Sequence, residues 1–323
     1  MKNPLLHFAL AVLVAVALPV FVKSGTLASE ILIFAIAAAG CNLLLGYTGL
    51  LSLGQGIFFG SGSYVLGLAL LHTGLPIVPA LVLSAVFGCA IAIVIGALSI
   101  RQQGVYFVML TLAFAQLFYF LAYTFSDITG GDNGLLGIDR SSIGPLSIAD
   151  SWSYYAFVAV VFLLVFAGLQ RVTTSTFGRT LLAIRDNNGR AQAVGFPVRI
   201  FKIAAFAISG AVTGLAGGLH ALLIGIAPLT SIDFSMSETL LIMTIIGGTG
   251  NLFGSVLGAG FYLIVSDMLS SLWPRWLLLL GLLLIALALF MHGGIWGGVE
   301  RAAATLRRGK GRPDVPAPER SGQ

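Results

Sequence analysis

Charge is what this sequence has least of. Only 9% of its 323 residues are Asp, Glu, Lys or Arg, 58% are hydrophobic, and the mean hydropathy is +1.00. A soluble domain does not solvate its surface with so few charges. The only cysteines, Cys41 and Cys89, sit inside apolar runs. They read as small buried residues and carry no information on redox compartment. Histidines number four and are scattered. HExxH and zinc-spaced Cys/His clusters are absent, so neither a metal ligand nor a catalytic residue is assigned. None of Lys2, Lys23, Lys202 and Lys310 follows a phosphate-binding glycine loop, so the chain has no P-loop of its own. Gly60 to Tyr64 (GSGSY) does not form GxSxG. The net charge of +5 is no nucleic-acid signature, because the basic residues lie in loops and the C-terminal tail.

What the chain has instead is long apolar segments. A bilayer core of roughly 30 Å takes about 20 apolar residues per helix. Spans are expected over 5–22, 31–45, a third ending near 71, a fourth to 100, then 105–125, 154–169, a seventh to 227, a short eighth ending at GGTGNLFG, a ninth reaching Pro274, and 276–292. The first resembles a signal peptide, but its apolar run exceeds the usual length of about 7–15 residues, so it is read as a retained helix. Loops at 126–153 and 228–238 are acidic on balance and fall outside, while the basic segment 171–202 falls in the cytoplasm. The expected fold is an all-α polytopic membrane protein of about ten (8–10) spans with both termini cytoplasmic. Residues 1–300 form one transmembrane domain, and the basic, then proline-rich 301–323 a disordered cytoplasmic tail.

The segment from Arg171 to Lys202 is the most charged internal loop, with Arg171, Arg179, Arg185, Arg190, Arg199 and Lys202 opposed only by Asp186. Concentrated charge there points to docking; the plainer alternative is a loop that only fixes topology.

Glycine, at 41 residues, has two uses. Gly210, Gly214 and Gly218, and again Gly250, Gly254 and Gly258, are four apart and suit close helix packing. The clusters at 46–64 and 245–255 suggest interrupted helices, which survive at membrane depth only when buried in protein or lining a wet cavity. Both contain GxTG, GYTGLL against GGTGNL, a hint of an internal repeat. Asn42, Gln55, Gln116 and His220 suit interhelical hydrogen bonding more than substrate contact. Glu30, Glu238 and Asp267 sit near span ends. The missing central carboxylate argues against an ion-coupled carrier, the rival reading.

The blocks GYTGLLSLGQGIFFGSGSYV, RQQGVYFVMLTLAFAQLFYFLAYTFSDITGGDNGLLGI, IRDNNGRAQAVGFPVRIFKIAAFAISGAVTGLAGGLHA and MTIIGGTGNLFGSVLGAGFY resemble, in order, those of branched-chain amino acid ABC transporter permeases. Length and VYFVMLTLAF favour a LivM-like subunit. The resemblance implies a type II ABC importer-like permease in a bacterial inner (plasma) membrane, embedded in the lipid bilayer. Its implied partners are a LivH-like second permease, two cytoplasmic ATPase subunits holding ATP and magnesium, and a periplasmic substrate-binding protein. This chain would bind no cofactor and no nucleic acid. Urea, short amides or other amino acids are alternative substrates.

It further implies an ATPase-coupling helix over 179–194, with Arg179, Leu182, Ile184, Arg185, Asp186, Arg190, Ala193 and Gly195 as its residues. Apolar Thr180 to Ile184 would enter the ATPase groove, and Gly195 and Pro197 would end the helix. The substrate path would use Gly46, Tyr47, Thr48, Gly49, Ser52, Gln55, Gln116, Gly247 and Gly248. Thr129, Gly130, Gly131, Asp132 and Asn133 would meet the binding protein. Asp186 to Arg190 (DNNGR) departs from the family's glutamate-rich pattern, and Gly189 weakens a helix by up to about 1 kcal/mol. Replacing Arg185 and Asp186 is expected to uncouple transport while sparing membrane insertion; normal uptake by that variant would contradict the assignment.

Overall fold

A computed structural model describes residues 4–140, 148–290 and 293–298. The tail 301–323, residues 141–147 of the outer loop and His292 at the expected end of the last span lie outside the described residues.

In chain order the helices are α1 (Pro4–Phe21), α2 (Gly25–Asn42), α3 (Gln55–Thr73), α4 (Ile77–Ser99), α5 (Val105–Thr124), the single turn α6 (Ser126–Thr129) and α7 (Ser151–Thr174). There follow α8 (Thr176–Asp186), α9 (Asn188–Ala193), α10 (Val198–Ile224), α11 (Phe234–Gly247), α12 (Leu252–Leu272) and α13 (Trp276–Phe290). Among the described residues seven helices are long and apolar enough to cross a membrane, and Phe8–Val20, Phe234–Gly247 and Trp276–Ile285 are shorter apolar helices. Together they match the expected spans in order.

α2 sits at the centre. Its sequence is apolar around the whole circumference, and such a helix has no face to give to solvent or lipid. Residues 28–44 are buried apart from the half-buried Glu30, against α7, α10, α11 and α12. The helix starts at Gly25 rather than at the expected residue 31, because the Ser24 hydroxyl accepts the Leu27 N–H at 3.4 Å and caps it.

Small residues set how closely α3, α4 and α10 approach. A Cβ on Gly88 of α4 would lie 3.2 Å from the Gly214 Cα of α10, and one on Gly214 would lie 2.8 Å from the Ser84 carbonyl oxygen. Gly217 faces the Phe59 carbonyl of α3 with no space for a Cβ at all. The row Gly210, Gly214, Gly218 therefore packs as expected. The second row does not continue on one helix: Gly250 precedes α12 with φ +87°, and only Gly254 and Gly258 lie on it, against Gly247.

Between the loops expected to lie outside, β1 (Leu135–Leu136) and β2 (Ile226–Ala227) pair antiparallel with Leu135 opposite Ala227. This ribbon ties the two acidic loops together.

Gly217→Val is expected to cost about 1–3 kcal/mol by overpacking, read as a lower melting temperature in detergent. Gly168→Ala, with nothing within 4 Å of the added carbon, is the neutral control. Equal melting of the two variants would contradict the packing.

Candidate functional site

The basic segment 171–202 is built from two helices rather than the single one expected over 179–194. Asn187 leaves helical space at φ −157°, ψ 100°, and its side-chain oxygen accepts the Arg190 N–H at 2.8 Å, so α9 starts afresh. Asparagine competes with helix in this way whenever its amide reaches a nearby backbone donor. Gly195, at φ +96°, ends α9 as expected, with the Phe196 N–H donating to the Ala191 carbonyl at 3.2 Å. Gly178 allows the tight step from α7 to α8, since a Cβ there would strike the Thr173 carbonyl.

The apolar stripe of α8 faces inward, which corrects the expected docking patch. Leu181 joins the main core, Ile184 packs with Ala191, Val198 and Phe201, and Leu182 is half-buried. An amphipathic helix at the foot of an apolar bundle buries that stripe on its own protein. Side chains left to water include Arg179, Asp186, Arg190 and Ala193, the partly exposed Arg185, and Val194, 72% exposed, and Phe196, 41% exposed. Val194 and Phe196 were not among the expected docking residues. Their signal was two large apolar groups around Gly195 in an otherwise polar turn.

Beside α8 lie both helix interruptions. α2 widens into a π-turn, Leu43–Thr48, and Gly49 at φ +71° turns the chain into a non-helical run over 50–54 that reaches α3. Asn42, fully buried, joins this end to the α11–α12 connection. Its Nδ2 donates to the Asn251 carbonyl at 2.9 Å and to Ser255 Oγ at 2.8 Å, and its Oδ1 accepts the Gly250 N–H at 2.9 Å. The two GxTG segments thus touch, and the last glycine of each, Gly49 and Gly250, has positive φ. Arg185 Nη1 donates to the Gly46 carbonyl, its Cγ would lie 2.9 Å from a Cβ on Gly49, and Nη2 lies 3.4 Å from Asp186 Oδ1.

Gln55 opens α3 deep inside. Its Nε2 donates to Ser209 Oγ at 3.2 Å, its Oε1 accepts from Thr213 Oγ1 at 3.1 Å, and Ser209 Oγ donates to the Gly40 carbonyl at 2.7 Å. Ser209 and Thr213 are near the middle of α10, so α3 begins at mid-depth. The Gly56 N–H donates to Ser237 Oγ of α11 at 2.7 Å. Gly46, Tyr47, Thr48, Ser52, Gly247 and Gly248 are likewise buried, while Gly49 is exposed. Thr48 Oγ1 donates to the Leu44 carbonyl, and Ser52 Oγ accepts the Gly54 N–H at 3.3 Å. His220 packs its ring against Phe34 and Phe59 at 5.5 and 5.3 Å rather than hydrogen-bonding through Nδ1. Gln116 stands apart from the other path residues. It lies on the outward face of α5 in an exposed row with Tyr106, Met109, Ala113, Phe120 and Tyr123.

Outside, Thr129, Gly130 and Gly131 close the end of α5. Thr129 Oγ1 donates to the Ala122 carbonyl at 2.6 Å, the Gly131 N–H donates to Thr129 Oγ1 at 3.2 Å, and the glycines have φ +78° and +60°. Of the expected docking residues only Asp132 and Asn133 present side chains at the tip. Arg140 holds this loop down: Nε donates to the Leu222 carbonyl at 2.8 Å, Nη2 to that of Leu223, and the guanidinium lies 4.9 Å over the Tyr154 ring.

Residues 24–288 match the family described as "Branched-chain amino acid transport system / permease component". The chain belongs to this family. The permease is similar to the "High-affinity branched-chain amino acid transport system permease protein LivM" of Escherichia coli (strain K12) and of Salmonella typhimurium (strain LT2). Identity to each is 28% over 319 residues, covering 91% of this chain and 75% of the relative. The "Autoinducer 2 import system permease protein LsrC" of Escherichia coli O9:H4 (strain HS) is 31% identical over 144 residues, 42% of this chain and 41% of that one. No solved structure matches the chain.

Arg140→Gln removes a charge-assisted pair of bonds, and amide exchange at Leu136 and Ile138 is expected to speed up by about tenfold with no change at Gly250. Unaltered exchange at both outer amides would show that Arg140 does not hold the loop.

Proposed function

We propose that this permease is the membrane subunit of an ATP-driven importer that moves an amino acid of the branched-chain class inward. Family membership and the names of the two LivM relatives support the substrate class. The energy source is a pair of separate ATPase subunits, which hold ATP and magnesium; this chain binds neither. The observation that carries the reading is the exposed apolar pair Val194 and Phe196 beside Arg179, Asp186 and Arg190, on a cytoplasmic segment whose other face is anchored in the bundle. Large apolar groups flanked by charge are the anchors from which protein interfaces take most of their energy.

A second permease subunit covers α5. Gln116 lies mid-helix on an outward row spaced by three and four residues, the spacing of a helix–helix seam. An amide at hydrocarbon depth requires a hydrogen-bonding partner or water. The substrate path runs along that covered face, past Gly49 to Leu53. A periplasmic binding protein docks on Asp132, Asn133 and the ribbon beside them, and the assembly sits in the bacterial inner membrane. A second reading, a permease of the same kind for another small polar solute, is favoured by the likeness to an autoinducer 2 permease over part of the chain.

Val194→Asp and Phe196→Asp are each expected to reduce co-purification of the ATPase subunits by about tenfold or more, and leucine uptake into proteoliposomes is expected to require ATP. Uptake by this chain alone, without ATP, would reject the reading in favour of a self-sufficient carrier.

A further inference from the structure

Arg185 occupies a different position from Arg179 and Arg190, the other arginines of α8 and α9. All three are exposed to water, Arg185 over 38% of its side chain, but the Arg185 guanidinium also reaches the bundle and donates to the Gly46 carbonyl. Gly46 lies in the last turn of the π-turn, where carbonyls have no helical donor ahead of them and where a positive charge meets the negative end of the helix dipole. The stem of Arg185 lies over Gly49, and its Nη1 would be 3.4 Å from a Cβ on Gly250. One side chain therefore bonds the π-turn that continues α2, covers the turn after it and lies near Gly250 of the α11–α12 connection.

Asn42 makes that contact a link between spans. It stands one helical turn before Gly46 and makes three hydrogen bonds to Gly250, Asn251 and Ser255. No side chain fits at Gly46, since a Cβ there would lie 2.9 Å from the Gly250 Cα and nearer still to other atoms. The end of α2 and the α11–α12 connection are in direct backbone contact, pinned by Asn42 and held from below by Arg185.

We propose that Arg185 is a positioning residue rather than a contact with the ATPase: through Gly46 and Asn42 it passes movement of α8 to both interrupted spans as one unit. This rests on the reading that an ATPase binds the exposed side of the same segment. The break at Asn187 suits the arrangement, because α8 is fastened to the bundle through Leu181 and Ile184 while Arg190, Val194 and Phe196 after the break are exposed.

The test uses the complete importer with its ATPase subunits in proteoliposomes, comparing Arg185→Gln, Arg185→Lys, Asn42→Ala and the Arg185→Gln/Asn42→Ala double variant. Arg185→Gln is expected to keep ATPase co-purification and hydrolysis within about twofold while substrate moved per ATP falls by about tenfold. Arg185→Lys, which restores the charge without the planar fork, is expected to recover part of the loss. The double variant is expected to be no worse than the poorer single one, as for residues acting in one chain of contacts. Loss of co-purification in Arg185→Gln, unchanged transport per ATP, or additive losses would each overturn the proposal. If Asn42→Ala fails to assemble, the two Arg185 variants decide alone. Failure of the unaltered complex to retain ATPases would instead overturn the functional reading, and the proposal with it.

Discussion

A backbone that stops being helical at the edge of a bilayer must find its hydrogen bonds inside the protein, since hydrocarbon offers none. Here a single buried amide meets part of that requirement in the α11–α12 connection. Asn42 accepts from one backbone N–H and donates to one carbonyl and one hydroxyl of the α11–α12 connection, so two interruptions far apart in sequence stabilise each other. The neighbouring glycines follow from this contact. Gly46 has to be small because Gly250 lies against it, and Gly49 and Gly250 turn the chain at positive φ. Core packing of α2 against α12 and the seating of α8 beneath them both rest on this junction.

The same logic extends upward. Gln55 opens α3 level with the middle of α10 and spends its amide on Ser209 and Thr213. The start of α3 meets the first turn of α11 at Gly56 and Ser237. Helices that start at mid-depth leave ends that rigid neighbours must hold, and the close glycine contacts of α3, α4 and α10 supply that rigidity.

Much of this was legible in the sequence. Apolar length and loop charge ordered the spans, and glycine spacing marked the α4–α10 contact. Asn42 and Gln55 stood out as polar residues in apolar runs, and both are interhelical hydrogen bonders. Less visible were relations between distant segments. Nothing local in GYTG or GGTG says that they touch, because the contact depends on Asn42 bridging more than two hundred residues. Which face of α8 turns inward was also misjudged: periodicity reveals an apolar stripe but not whether its own bundle or a partner covers it. Asn187 ended the helix where Gly189 was expected to weaken it, since a side chain that caps the next turn competes more strongly than a missing one. Gln116, visible as polar, needed the structure to show that it points away from its own chain.

The break at Asn187 has an evolutionary consequence. It restarts the helix between Asp186 and Asn188, with Ala191 of α9 still packed against Ile184 of α8 while Arg190, Gln192 and Ala193 stay exposed. The exposed positions of α9 can vary without disturbing that packing. A change of polarity in Asp186 to Arg190 would retune partner choice while the buried side of α8 keeps its register. The break leaves the exposed face free to change above an unchanged buried socket, so one architecture can present different surfaces.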